Sequence, residues 1–313
     1  MDMFEVNENE IKLVGPILQK IMWSNRATKQ RIQEYGVNVT PVTFYSDTPS
    51  IADINASFEY VSHEPPYLES CPFDEGILNQ TLRELASYAN EFDPLVQGDE
   101  ERTDRFFWNN SQFSFSDAVA YYSFIRHLKP TSVVEIGNGF STLVAIEAIK
   151  KNDFGSVICI EPFPRPFLDN NKNIELKKVR AQDIDPDNLN NTLKDGDILF
   201  IDSTHTVKTG SDCLHIYLRL LPKIRKNIYV HVHDIFLPFG LPIDWLLDRQ
   251  IFWTEQYLLL ALLTDNPKTR VLYGGAYHYN FNRGALEELM NNRYPAGGAS
   301  FWFEYRGRLD PRS

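Results

Sequence analysis

Residues able to do chemistry recur at regular places along the middle of the chain. In VVEIGNGFST (133–142) the carboxylate Glu135 precedes Gly137 and Gly139, and Ser141 and Thr142 close the stretch. Glu161 ends VICIE, Asp183 lies in VRAQDIDP, and Asp202 ends LFID with His205 three residues on. Further along, VHVHD supplies His231, His233 and Asp234. The carboxylates stand inside, at the end of, or just beyond short runs rich in Val, Ile, Leu or Phe, where an open parallel sheet places its ligand crevice.

Glycines before a helix allow tight turns and close approach of backbone to a ligand, and Ser141 or Thr142 can cap that helix. A dinucleotide fingerprint would require glycine at 142 and would seat a pyrophosphate, which Glu135 repels. An ammonium or sulfonium group is attracted instead, and S-adenosylmethionine carries both without phosphate. Glu161 is placed to accept hydrogen bonds from a ribose diol, Asp183 to reach an adenine amino group, and Asp202 to lie beside the methionine end. His205 has an imidazole that ordinarily titrates near neutrality and is the leading general-base candidate. His231 and His233 alternate onto one strand face, with His231 the deeper, expected to be a core histidine.

These residues need a scaffold, and the pattern supplies one. From about residue 112, short apolar runs alternate with helical patterns, predicting a doubly wound α/β fold with seven strands, mostly parallel. Strands are expected at 132–136, 156–160, 174–179, 197–201, 228–233, 270–274 and 300–305. Helices are expected near 141–151, 163–171, 186–193 and 207–222, with a long helical stretch to about 263 broken at Pro242 and near Gln250. Residues 1–111 form a mainly helical N-terminal extension, a lid or dimer surface, before a domain at 112–313. In the extension, Gly15 and Pro16 should break or kink a helix over 8–35. A helix over 75–92 puts Leu78, Leu82, Leu85, Ala89 and Phe92 on one face, either for core packing against the main domain or for a lid or dimer surface over a binding cleft.

The 313 residues are 43% hydrophobic and 23% charged, an ordinary globular composition, with net charge −11. That charge disfavours nucleic acid and points to a small-molecule partner. Cys71, Cys159 and Cys213 form no CxxC pair and suggest neither a disulfide framework nor a cysteine zinc site. The acidic start lacks a signal peptide's basic flank, and YLLLALL (257–263) is too short to span a bilayer, so a cytoplasmic protein without membrane association is expected. In RFFWNNSQFSFSD (105–117), the aromatic residues either pack in the core or line the cleft, and Asn109, Asn110 and Gln112 offer hydrogen bonds to a polyhydroxylated substrate. Trp245, Trp253 and Tyr257 have the same two readings. His63, His127, His215 and His278 lack supporting neighbours.

The run ExGxGxST, the acidic end of the second strand, the Asp after the third and IDSTH after the fourth together resemble class I S-adenosylmethionine-dependent methyltransferases. IDSTHTVKTGSD followed by VHVHDIFLP is similar to bacterial enzymes that modify small molecules and saccharides. The resemblance covers about residues 113–306. It implies that Gly137 and Gly139 pass under the methionine part of the cofactor, with Glu135 near its ammonium, Glu161 on the ribose and Asp183 on the adenine. In metal-dependent O-methyltransferases of similar fold, the residue matching His205 is often the base. Those enzymes carry acidic metal ligands after strands four and five, where this chain has Asp202 and His233-Asp234. Mg2+ or another divalent ion held by these three is therefore one expectation, and His233 as a second acid-base or substrate-contacting group is the other.

The expected function is O-methylation of a small hydroxylated metabolite or sugar, with homo-oligomerisation through the extension. A nicotinamide-dependent oxidoreductase, a non-catalytic module of the same fold, and transfer of another group from the same cofactor are the alternatives.

Overall fold

The computed structural model describes residues 5–113 and 115–307. Within them the chain forms two compact units that divide between Val61 and Ser62.

The first unit is helical: α1 (Glu8–Met22), α2 (Arg26–Gln33) and α3 (Ile51–Ala56). Asn7 caps α1 in a reciprocal box with Glu10, and α1 runs through Pro16 rather than ending there. Proline forfeits one backbone hydrogen bond, and the chain breaks instead before Asn25, whose side chain accepts the N–H of Thr28 and starts α2.

In the second unit the elements run α4 (Glu75–Ala89), α5 (Ser116–Leu128), β1 (Ser132–Ile136), α6 (Phe140–Asn152), β2 (Ser156–Ile160), β3 (Ile174–Lys177), α7 (Pro186–Thr192), β4 (Ile198–Ile201) and α8 (Asp212–His215). They continue with β5 (Asn227–Val232), α9 (Ile243–Leu247), α10 (Glu255–Leu263), β6 (Thr269–Gly274), α11 (Gly275–Phe281), α12 (Arg283–Leu289) and β7 (Phe301–Arg306). The sheet order is β3-β2-β1-β4-β5-β7-β6. Strands β1 to β5 are parallel, and β7 lies antiparallel between β5 and β6. This is the doubly wound seven-stranded sheet that the sequence predicts.

Alternation along each strand builds two apolar layers. Val133, Val157, Cys159, Ile198 and Phe200 face α4, α5 and α6, while Val134, Ile136, Ile158, Leu199 and Ile201 face the layer containing α8 and α10. The face expected of the 75–92 helix is buried, and Leu82, Leu85, Ala89 and Phe92 share a core with Phe106, Phe107 and Trp108. The segment 62–111, which the sequence reading grouped with the N-terminal extension, is thus part of the sheet unit.

Several boundaries differ from expectation. The helix expected at 163–171 is a single 3-10 turn, Pro166–Leu168, in a segment with prolines at 162, 164 and 166. The helix expected from 207 begins at Asp212, where Ser211 accepts the N–H of Leu214, and continues as a π turn over Ile216–Leu220. After β5, by contrast, the helical stretch breaks where expected, into α9 after Pro242 and α10 beyond Gln250, with the linking residues used by the site below.

Candidate functional site

The turn after β1 is fixed by its neighbours. The Gly137 N–H donates to the Ile160 carbonyl at 3.0 Å, and the Asp202 N–H to the Ile136 carbonyl at 2.9 Å. Gly137 has φ +83°, and a Cβ there would lie 1.8 Å from the Asp202 carbonyl oxygen, so glycine is required for the ends of β1 and β4 to meet. Gly139 is extended, with only ordinary contact distances around it.

Thr142 replaces a third glycine for a visible reason. Its hydroxyl accepts the Gly139 N–H at 3.3 Å and donates to Glu135 at 2.5 Å, and Tyr121 donates to the other Glu135 oxygen at 2.8 Å. Glu135 is fully buried, and that burial pushes its carboxyl up to about 7. The structure therefore sets Glu135 beneath the loop as a strut rather than on the crevice wall. Ser141 is likewise buried, in the first turn of α6.

Beyond the strand ends lies a crevice of about 740 Å³ including its open mouth, lined in part by Gly137, Glu161, Phe163, Gln182, Asp202 and Asp212. Glu161 accepts the Phe163 N–H at 2.8 Å. Burial raises its carboxyl, and the charges of Asp202 and Asp212 raise it further. Asp212 holds the loop after β4 by accepting from the Thr204 N–H and hydroxyl at 3.0 and 2.6 Å. Asp183 is turned aside: it is exposed, forms a two-pronged pair with Arg180 at 2.8 and 2.7 Å that lowers its carboxyl, and borders the adjoining pocket beside α7. Asn138, unremarked in the sequence reading, has both side-chain polar atoms buried without a hydrogen-bond partner.

At the Asp202 end a group of histidines and carboxylates converges. His205 Nε2 lies 3.3 Å from Asp202 and 3.6 Å from Asp234, and its Nδ1 is 2.8 Å from Glu255. His233 Nδ1 lies 3.7 Å from Asp202 and 3.6 Å from Asp234, and its Nε2 is 3.3 Å from Asp117. His205 and Asp234 both have φ +56°, an uncommon backbone for non-glycine residues at functional turns. The His205 carbonyl accepts the N–H groups of Thr254 and Glu255 at 2.8 and 3.0 Å, which clasps the start of α10 and aligns Glu255 with the imidazole. Glu255, 1% exposed, also accepts from the Tyr217 hydroxyl at 2.9 Å.

The charges are strongly coupled. Burial opposes the protonated form of His205, but Asp202 and Glu255 outweigh it and raise the imidazole to about 10. Burial likewise opposes a charged His233, and Asp234, Asp202 and Asp117 raise it well above the ordinary range. Burial pushes the Asp202 carboxyl up, yet His233 and His205 hold it well below the usual carboxylate values.

Of the predicted site residues, Gly137, Glu161, Asp202, His205, His233 and Asp234 meet at one end of the sheet, whereas Glu135, Ser141 and Asp183 do not face the crevice. His231 is a core histidine, bonded to Ser300 at 2.8 Å and stacked on Trp302. Phe106, Phe107 and Trp108 are core, and the Asn110 amide donates to the Phe107 and Phe113 carbonyls instead of facing a substrate. Trp253 packs 4.3 Å, centroid to centroid, from the His205 ring. Sequence reasoning missed Glu255, Asp117 and Asp212, although Asp117 and Asp212 each closed a segment singled out for other residues.

Residues 134–235 match the family profile described as a methyltransferase domain. An uncharacterised protein of Archaeoglobus fulgidus is 32% identical over 161 residues, spanning 49% of this chain and 73% of that protein. Among solved structures, a putative O-methyltransferase from Klebsiella pneumoniae is similar at 13% identity and TM-score 0.38, over 75% of this chain and 90% of that one. An O-methyltransferase from Bacillus cereus in complex with SAH is similar at 13% identity and TM-score 0.38, over 74% and 91%. These two likenesses are distant; the sequence matches are the closer kinship.

Proposed function

This chain belongs to the class I S-adenosylmethionine-dependent methyltransferases, and on that premise we propose that its acceptor is an oxygen of a small hydroxylated molecule, a sugar or similar polar metabolite. The observation that carries the reading is the imidazole of His205 set against Asp202, at the end of an acidic crevice. The donor is a sulfonium, and the carboxylates Glu161, Asp202 and Asp212 suit a cation. A dinucleotide would bring its pyrophosphate against the same carboxylates, which argues against the nicotinamide alternative. In this reading Glu161 takes the ribose hydroxyls, Gly137 passes under the methionine portion, and the adenine end falls to the Ala181–Gln182 turn instead of Asp183.

Methyl transfer forms an O–CH3 bond as the S–CH3 bond breaks, with the S–C electron pair returning to sulfur, so the protein mainly aligns acceptor oxygen, methyl and sulfur. The acceptor's proton goes to His205 Nε2, and Glu255 holds the Nδ1–H. Asp202, Glu255 and Asp234 together favour the protonated form of His205, so the imidazole serves as a base only where another charge offsets theirs.

The donor set suits a divalent cation at this point. Asp202, His233 and Asp234 bring one ligand atom each to within 4.8 Å of one another. A cation there would polarise the acceptor hydroxyl and neutralise the charge that holds His205 protonated.

The test is a pair of variants. His205→Ala should lower kcat by about 100-fold or more while changing affinity for S-adenosylhomocysteine little. Glu161→Ala should weaken that affinity by about 10-fold or more, in line with lost charge-assisted hydrogen bonds. The reverse pattern would overturn both roles, and mass analysis of the product distinguishes O-methylation from N-methylation.

A further inference from the structure

Behind His233 stands a carboxylate to which the mechanism above gives no task. Asp117 Oδ2 is 3.3 Å from His233 Nε2, with the two side chains 9% and 6% exposed. Asp117 is held from its other side: Oδ1 accepts the N–H of Ser300 at 2.8 Å and of Ala299 at 3.1 Å. The backbone at 298 presses so close that a Cβ there would lie 2.4 Å from Asp117 Oδ1. An acceptor fixed in this way takes the Nε2 proton of a neutral imidazole and leaves the lone pair on Nδ1. Nδ1 is the atom turned toward Asp202 and Asp234, 3.7 and 3.6 Å away, and the three residues bring one ligand atom each to within 4.8 Å of one another.

We propose that Asp117 is a positioning residue that makes His233 an Nδ1 donor, and that the resulting seat of one nitrogen and two carboxylates prefers a first-row transition cation of the manganese-to-zinc series over magnesium. The proposal rests on the reading of Asp202, His233 and Asp234 as a cation seat and adds to it the kind of cation. Magnesium favours all-oxygen surroundings and keeps its waters, whereas imidazole suits the later transition ions. A carboxylate behind the ring fixes its orientation and raises its basicity as a ligand. His205 is outside the set of mutually close ligand atoms and keeps its separate task.

The full chain, stripped with chelator, is titrated with cobalt(II), manganese(II), zinc(II) and magnesium(II). Cobalt is followed by its visible absorption, the others by competition, and S-adenosylhomocysteine binding is measured by calorimetry on the same samples. Cobalt should bind at least about 10-fold more tightly than magnesium, and Asp117→Asn should weaken cobalt by about 10- to 100-fold. His233→Asn, which offers an oxygen in place of the nitrogen, should erase or invert the preference. Asp117 also anchors residues 299 and 300, so His233→Asn decides the matter by itself if Asp117→Asn fails to fold. Magnesium binding as tightly as cobalt, an unchanged cobalt affinity in folded Asp117→Asn, or an unchanged preference in His233→Asn would each overturn the proposal. Binding of S-adenosylhomocysteine with no cation binding at all would overturn both the preference and the cation seat while leaving methyl transfer standing. Failure of the wild-type chain to bind S-adenosylhomocysteine would instead strike the methyl-transfer reading.

Discussion

Glu135 shows how a single buried acid can tie the cofactor loop to pH. Its folded-state carboxyl sits at about 7 against an ordinary 4.5, because burial disfavours the charged form. A raised carboxyl contributes stability that is complete below about 4.5 and lost as pH rises through about 7. The loss should be on the order of 3 kcal/mol at most. Glu135→Gln keeps an acceptor for Tyr121 and a polar neighbour for Thr142 but cannot ionise. Its melting temperature should therefore fall less than that of the wild type between pH 5 and pH 8, and parallel curves for the two proteins would refute the account.

Helices and strands position these groups with unequal transparency in the sequence. Strands β1 to β5 were legible because their apolar runs are bounded by turns and closed by carboxylates. Helix α4 was legible as a helix, and core packing against the main domain was one of the two readings its apolar face allowed, since periodicity reports a buried face and not what covers it. Leu85 is fully buried there, so Leu85→Ala should destabilise the sheet unit by about 3 kcal/mol in denaturant unfolding. A change below about 1 kcal/mol would mean that α4 is peripheral. The partners of the two histidines were not legible at all. Asp117 and His233 are 116 positions apart, and His205 and Glu255 are 50 apart, so only the folded sheet brings them together. Likewise Asp183 had the right spacing for adenine, but a local pairing with Arg180 three residues away claims its side chain.

At the scale of the whole molecule, the described residues divide into two units, and no described helix is long and apolar enough to cross a membrane. Within the first unit, α1 has no buried residue and exposes Ile11, Val14, Ile17 and Leu18. Removal of residues 1–61 should leave a folded sheet unit that still binds S-adenosylhomocysteine, as judged by circular dichroism and calorimetry.

The close backbone approach of Gly137 to Asp202 would give the two proposed ligands a common wall. In the proposed reading the donor would lie along the turn on one side and a cation would be held by the Asp202 carboxylate on the other, so each would register the other's binding. Thermodynamic reciprocity then requires that any factor by which the ion tightens the donor's hold is the factor by which the donor tightens the ion's.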